Sequence, residues 1–196
     1  MPPAGRRLPE YSAPLASGLM RIVLIAAQSL DGFITKHARP GTAFTSPEDK
    51  AHFRKVVAGF DAGVFGAGTY RVSREAIRAL PSEGLLRVVM TRSPGRYAAE
   101  TVPGRLEFTD VAPRALADDL CARGFRHCAL LGGSQVHSLF LAAGLVDEIW
   151  LTVEPALFGA GTPLLAHEAD VRLELDTIER LGVSTLLLKY SVIRRI

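Results

Sequence analysis

Residues 127–146 read His-Cys-Ala-Leu-Leu-Gly-Gly-Ser-Gln-Val-His-Ser-Leu-Phe-Leu-Ala-Ala-Gly-Leu-Val. The first five form an apolar run of strand length, and Gly132-Gly133 breaks it. Ser134 is placed to cap a helix whose apolar face takes Val136, Leu139, Phe140 and Ala143. His137 falls in the first turn of that helix, on its polar face. A second apolar run, Val146 to Val153, follows. Strand, glycine turn, helix and strand in this order describe a βαβ unit and so a parallel sheet. Residues 128–146 lack Asp, Glu, Lys and Arg and are long enough to span a bilayer. The polar centre from Gly132 to Ser138 excludes that reading.

The same alternation extends outward. Ile22 to Ile25 reads as a fully buried strand. Thr45 or Ser46 caps a helix that carries Pro47 in its first turn, with Phe53, Val56, Val57 and Phe60 as its buried face. Ala62 to Phe65 is a strand running into Gly66-Ala67-Gly68-Thr69 and a helix to about Leu80, stopped by Pro81. Leu86 to Met90 is a strand, Leu106 to Phe108 a weaker one, and Pro113 opens a helix with Leu116 and Leu120 inward, closed by Gly124. Trp150 is a core residue. Glu154-Pro155 ends the strand from Val146. Val171 to Leu175 and Leu186 to Ile193 close the chain as an antiparallel pair. The pattern gives an α/β fold with a mainly parallel sheet flanked by helices and antiparallel strands at the C-terminal edge.

The chain has 196 residues, 48% of them hydrophobic and 22% charged, which fits a single globular domain at residues 20–196. Residues 1–19 hold four prolines without an apolar core and read as a flexible N-terminal tail, not a secretory signal. The net charge of +3 is scattered and carries no nucleic-acid motif. Cys121 and Cys128 follow no zinc spacing, no metal site is expected, and the thiols fit a reducing cytoplasm.

Chemistry concentrates at the ends of the strands, where ligands of open α/β sheets gather. Gly66, Gly68 and Thr69 form one turn in which backbone N–H groups can approach a phosphate. Gly132, Gly133, Ser134 and Gln135 form a second, and a dinucleotide pyrophosphate can lie between two such helix starts. Thr91, Arg92 and Ser93 set two hydroxyls around a guanidinium, a pattern suited to a phosphate monoester such as the 2′-phosphate of NADP. Asp31, in Ser29-Leu30-Asp31-Gly32, is either a turn residue or a carboxylate for a substrate hydroxyl or amine. Glu154 either faces the same cleft or joins a surface salt bridge. No histidine spacing marks a metal site, and no G-x-S-x-G marks a hydrolase.

Six segments in order carry a resemblance: Ser29-Leu30-Asp31-Gly32, Thr45-Ser46-Pro47-Glu48, Gly66-Ala67-Gly68-Thr69, Leu131-Gly132-Gly133-Ser134, residues 143–148 and residues 155–164. Together they resemble the reductase domain of the riboflavin-biosynthesis deaminase–reductases, within the dihydrofolate-reductase-like family. The zinc signature of the deaminase half, H-x-E with P-C-x-x-C, is missing from this sequence.

The resemblance implies a dihydrofolate-reductase-like fold, NADPH as hydride donor and a homodimer. It implies that Gly66, Gly68, Thr69, Gly132, Gly133, Ser134 and Gln135 hold the cofactor's phosphates and that Thr91, Arg92 and Ser93 take its 2′-phosphate. It sets Asp31 near nicotinamide and substrate; Glu154, singled out by its place at a strand end and not by the resemblance, is the second candidate catalytic carboxylate. The implied activity resembles 5-amino-6-(5-phosphoribosylamino)uracil reductase, with a small heterocyclic or ribosylaminopyrimidine substrate and no nucleic-acid or membrane partner. A pterin-type reductase and a non-catalytic NADPH-binding protein are the alternatives.

Overall fold

Arg21–Ser29 forms β1, the strand on which the rest is laid. Ile22, Val23, Leu24 and Ile25 are all nearly inaccessible, so both faces of this strand are covered, as a continuous apolar run requires. The structure, a computed structural model, describes residues 20–79 and 84–193. The expected tail at residues 1–19 and the expected stop at Leu80-Pro81 lie outside the described residues.

Chain order continues with α1 (Pro47–Val57), β2 (Ala62–Gly66), α2 (Ala67–Ala79), β3 (Leu86–Met90) and β4 (Leu106–Thr109). It ends with α3 (Pro113–Ala122), β5 (His127–Gly132), α4 (Ser134–Ala142), β6 (Glu148–Glu154), β7 (Arg172–Arg180) and β8 (Leu186–Ile193). A 3₁₀ turn over Pro94–Glu100, not anticipated from the sequence, separates β3 from β4. The sheet runs β4-β3-β2-β5-β1-β6-β8-β7. All pairs from β4 to β6 are parallel, and β8 pairs antiparallel with both β6 and β7. Ser29, Gly66, Met90, Thr109, Gly132 and Glu154 therefore end their strands on one rim.

One face buries Leu24, Val64, Val88 and Leu130 under Leu116 and Leu120 of α3 and Phe140 of α4. The opposite face gathers Val23, Ile25, Phe60 and Trp150 against Val56 and Val57 of α1. Further along it, Phe65 and Val89 pack against Tyr70 of α2. Several local expectations change. Phe60 lies past the end of α1, and Phe53 is 39% exposed, because this helix leaves a groove beside it rather than packing fully. Gly66 ends β2 and Ala67 starts α2 directly, so the expected turn is absorbed into the two elements. Gly133, not Ser134, is the N-cap of α4, and Leu139 points outward at 46% exposure. His137 is 1% exposed, not on a polar face.

α1 is anchored by a buried acid. Glu154, 3% exposed at the end of β6, accepts from Ser46 N (2.7 Å) and Ser46 Oγ (2.9 Å). Its other oxygen accepts from Thr185 Oγ1 (3.0 Å), just before β8. Ser46 Oγ in turn accepts from Asp49 N (3.2 Å), capping the helix. Glu154→Ala leaves these donors unsatisfied in a buried place and is expected to cost about 3 kcal/mol. Urea unfolding checks this, and Glu154→Gln, which keeps an acceptor, loses less.

Candidate functional site

Two glycine turns meet because β2 and β5 are neighbours. The register pairs Val64 with Leu130 and Phe65 with Gly132, which leaves Leu131 as a bulge at the rim. Gly132 has φ +98°, a conformation L side chains rarely adopt, and its peptide to Gly133 is cis. Gly133 has an ordinary φ of −78°. A Cβ built there lies 3.5 Å from Thr69 Oγ1, an ordinary contact, so the two turns stand face to face. α4 opens with no side-chain cap, and the N–H groups of Ser134 and Gln135 have no acceptor among the described residues. Such a helix start offers donors and a positive dipole end to an anion.

A cleft of about 1700 Å³ runs along this rim and down the groove between α1 and α2. Pockets for single small molecules are typically roughly 300–1,000 Å³, so this cleft has room for more than one. Gly66, Gly68, Thr69, Thr91, Arg92, Ser93, Gly132, Gly133, Ser134 and Gln135, the expected cofactor contacts, all line it. Thr91 Oγ1 accepts from Ser93 N (3.3 Å), which shapes the turn around the exposed Arg92. Arg96 and Tyr97, from the 3₁₀ turn, line the cleft beside them.

Asp31 and Glu154, the two carboxylates expected to face the cleft, do not line it. Asp31 Oδ1 accepts from Ser29 Oγ (2.6 Å), and its oxygens accept from Phe158 N (3.0 and 3.1 Å) and Gly159 N (2.7 Å). These bonds, the Ser29 hydroxyl first, hold its carboxyl below the ordinary value of 3.8. Glu154 is occupied by Ser46 and Thr185, as described above. Asp31 thus sews the loop after β1 to the loop after β6. The seam continues through Ile34 N to Thr162 O (2.8 Å) and Thr162 N to Thr35 Oγ1 (2.8 Å). Gly161 lies so close that a Cβ would sit 2.1 Å from Thr35 O.

The cleft has a carboxylate of its own that sequence reasoning passed over. Asp49, in α1, is 7% exposed and lines the cleft, with no hydrogen-bond or ion-pair partner for its carboxylate among the described residues. Thr152 of β6, 3% exposed, lines the same part, and so does His52, one turn along α1 from Asp49. Burial, then the nearby Lys189, pushes the His52 pKa down. In the sequence, Asp49 looks like an ordinary first-turn acid; what distinguishes it is that α1 turns it inward. His137 also lines the cleft. Its Nδ1 donates to Leu164 O (3.0 Å), its Nε2 is unpartnered, and burial pushes its pKa down to about 4. No group of three or more His, Cys, Asp or Glu side chains gathers as a metal site among the described residues, and no helix there is long and apolar enough to cross a membrane.

The geometry has counterparts. The family model described as RibD C-terminal domain matches residues 21–187. The uncharacterized protein YwjB of Bacillus subtilis is 28% identical over 164 residues, 79% of this chain and 89% of its own length. A diaminohydroxyphosphoribosylaminopyrimidine deaminase/5-amino-6-(5-phosphoribosylamino)uracil reductase from Thermotoga maritima superposes with a TM-score of 0.74 at 20% identity. That match covers 89% of this chain and 57% of the Thermotoga chain. Dihydrofolate reductase from Enterococcus faecalis, complexed with NADP(H), superposes with a TM-score of 0.57 at 18% identity, over 88% of this chain and 96% of that one. The fold is dihydrofolate-reductase-like.

The Asp31 seam has a pH signature. A carboxylate with a depressed pKa contributes fully above its free value, and the contribution is lost as pH falls through the lowered one. Amide protection at Phe158 and Gly159 is expected to hold at neutral pH and to drop as pH falls below 3.8. Hydrogen exchange by NMR reads this, and Asp31→Ala removes the protection at every pH.

Proposed function

Since the chain belongs to the RibD C-terminal domain family, we propose that it is an NADPH-dependent reductase of a small nitrogen heterocycle. The carrying observation is the pair of glycine turns on the adjacent ends of β2 and β5, with Thr91-Arg92-Ser93 at the end of β3 beside β2, around a cleft that also holds Asp49. The residues fit the cofactor: uncapped N–H groups at Ser134 and Gln135, room at Gly133 and a guanidinium at Arg92.

NADPH, when bound, supplies a hydride to the carbon of a C=N bond, and the nitrogen of that bond takes a proton. Ser134 and Gln135 would donate to the pyrophosphate, with Gly68 and Gly133 keeping side chains out of its path, while Gly66 and Gly132 leave room for Val136 and His137 behind the turns. Thr69 adds a hydroxyl. Arg92, with Thr91 and Ser93, would hold the 2′-phosphate by charge-assisted hydrogen bonds. Asp49 would accept from adjacent N–H donors on the substrate ring and stabilise the positive charge that protonation brings. Asp31 and Glu154 act in this reading as positioning residues, one for the loop over the site and one for the helix that carries Asp49. A dihydrofolate-type substrate is favoured over a ribosylaminopyrimidine by Asp49, since two carboxylate oxygens match the paired N–H donors of a 2-aminopyrimidine edge. Both substrates are reduced at C=N. A cytoplasmic setting agrees with Cys121 and Cys128 forming no disulfide.

NADPH and NADH titrations, followed by turnover at the reduced-nicotinamide absorbance with pterin and pyrimidine substrates, test the assignment. Arg92→Ala is expected to weaken NADPH about 10- to 100-fold and to leave NADH unchanged. Gly133→Val should keep the fold and lose the cofactor. Asp49→Asn should keep NADPH affinity and cut turnover by about 10²-fold. Equal losses of both cofactors with Arg92→Ala would remove Arg92 from the 2′-phosphate.

A second copy of the chain is the proposed cover for the C-terminal edge. Leu173, Leu175 and Ile178 of β7 are 40%, 46% and 61% exposed. They sit opposite Val192, Tyr190 and Leu188 of β8, and so share one face. An apolar edge of this kind risks aggregation unless it is covered, and a C2 pair covers it. Leu175→Glu is expected to convert a dimer into a monomer by light scattering at micromolar concentration. A wild-type monomer refutes the dimer.

A further inference from the structure

β6 and β8 set two cross-strand pairs in succession under α1. Thr152 stands opposite Leu187, and Trp150 opposite Lys189. Trp150 and Leu187 pack against Val56 and Val57 of α1, and alternation places Thr152 and Lys189 on the same face. α1 starts at Glu154 through Ser46 and runs back along β6 toward Trp150. Asp49 follows Ser46 by three residues and His52 follows Asp49 by three, so they share one side of the helix. Helical rise against strand rise sets His52 roughly 9 Å along from Ser46, between the two cross-strand pairs.

This placement puts a half-buried imidazole between the acid of the cleft and an ion pair outside it. Asp49 and His52 line the cleft; Lys189 and Glu179 do not. Lys189 Nζ lies 2.6 Å from Glu179 Oε1 and 5.0 Å from the centre of the Trp150 ring. The Glu179 side chain is 42% exposed, so the far end of the row meets solvent. Four charged groups act on His52: Asp49 and Lys55 of its own helix, Lys189 of β8 and Glu179 of β7. Burial and then Lys189 favour the neutral ring, while Glu179 and Asp49 favour the charged one. Histidine is the side chain whose ordinary titration lies between about pH 5 and 8, which suits it to pass protons.

Reduction of a C=N bond consumes a proton as well as a hydride. The hydride pair becomes the new C–H bond, the π pair of C=N takes a proton to become N–H, and NADPH loses the two electrons that the substrate gains. Asp49 is 7% exposed, so water reaches it poorly. We propose that His52 relays this proton from solvent to Asp49, which passes it to the reduced nitrogen. The inference rests on the reductase reading and deepens it. The imidazolium of His52 gives its N–H proton to the Asp49 carboxylate and becomes neutral, and it takes the next proton from water at its Glu179 side. Lys189 helps the hand-over, since a cation beside the ring disfavours its charged form.

The test has two arms. In the first, the full chain with isotope-labelled histidine is titrated by NMR without ligand, as wild type and as Asp49→Asn. The Asp49 charge favours the imidazolium, so the His52 ring of the variant is expected to titrate at a lower pH. Coincident curves overturn the proposal. In the second arm, kcat and KM are followed against pH with NADPH and 7,8-dihydrofolate. His52→Gln is expected to lower kcat about 10²-fold at pH values where the wild-type ring is charged, and little where it is neutral. KM stays unchanged, and added imidazole restores part of the loss. A raised KM with kcat intact would make His52 a substrate contact, and an equal loss at every pH would make it a structural residue; either overturns the relay. Should His52→Gln fail to fold, His52→Asn carries the same comparison. The reductase reading fails separately, if NADPH is oxidised with no heterocycle, and the first arm then decides alone whether His52 and Asp49 are coupled.

Discussion

The carboxylate of Glu154 joins three parts of the chain that are far apart in sequence. It terminates β6, caps the residue that caps α1, and reaches the start of β8 through Thr185. A buried carboxylate persists only where its lone pairs are filled, and here three donors fill them. Because Ser46 is held at both its N–H and its hydroxyl, the first turn of α1 has a fixed origin. Asp49 lies in that turn, so the direction in which the cleft's own acid points is set by a second acid that never reaches the cleft.

The electrostatics of the cleft follow from this placement. Arg92 and Arg96 line its rim, together with the uncapped start of α4, and Asp49 lines it from α1. The strand ends bring cations to the rim, and α1 brings one acid, Asp49, together with Lys50 and Arg54.

Much of this was legible from composition and spacing. The apolar runs from Ile22 and from His127 gave buried parallel strands because no polar residue interrupts them, and the glycine pairs at residues 66–68 and 132–133 marked strand ends. What stayed hidden depended on orientation. Periodicity offered Phe53 to the core, yet α1 stands off the sheet and leaves that ring over a groove. His137 read as polar-face, but the segment at Leu164 folds back and encloses it. Asp31 and Glu154 were recognisable as special carboxylates, since each follows a strand, but only the fold shows that their partners are Phe158, Gly159, Ser46 and Thr185. Asp49 carried no signal beyond its place in the turn opened by Pro47.

Gly132 and Gly133 are neighbours with different obligations. The backbone at Gly132 has φ +98°, so the fold itself demands a glycine there. At Gly133 the backbone is ordinary and a methyl group would meet nothing worse than the Thr69 hydroxyl. In a lineage that gave up the ligand but kept the fold, drift would be free to replace the second glycine and not the first. On the proposed cofactor reading, the pair works as a fossil record: a side chain at position 133 beside an intact glycine at 132 would mark the loss of the cofactor without any assay of the protein.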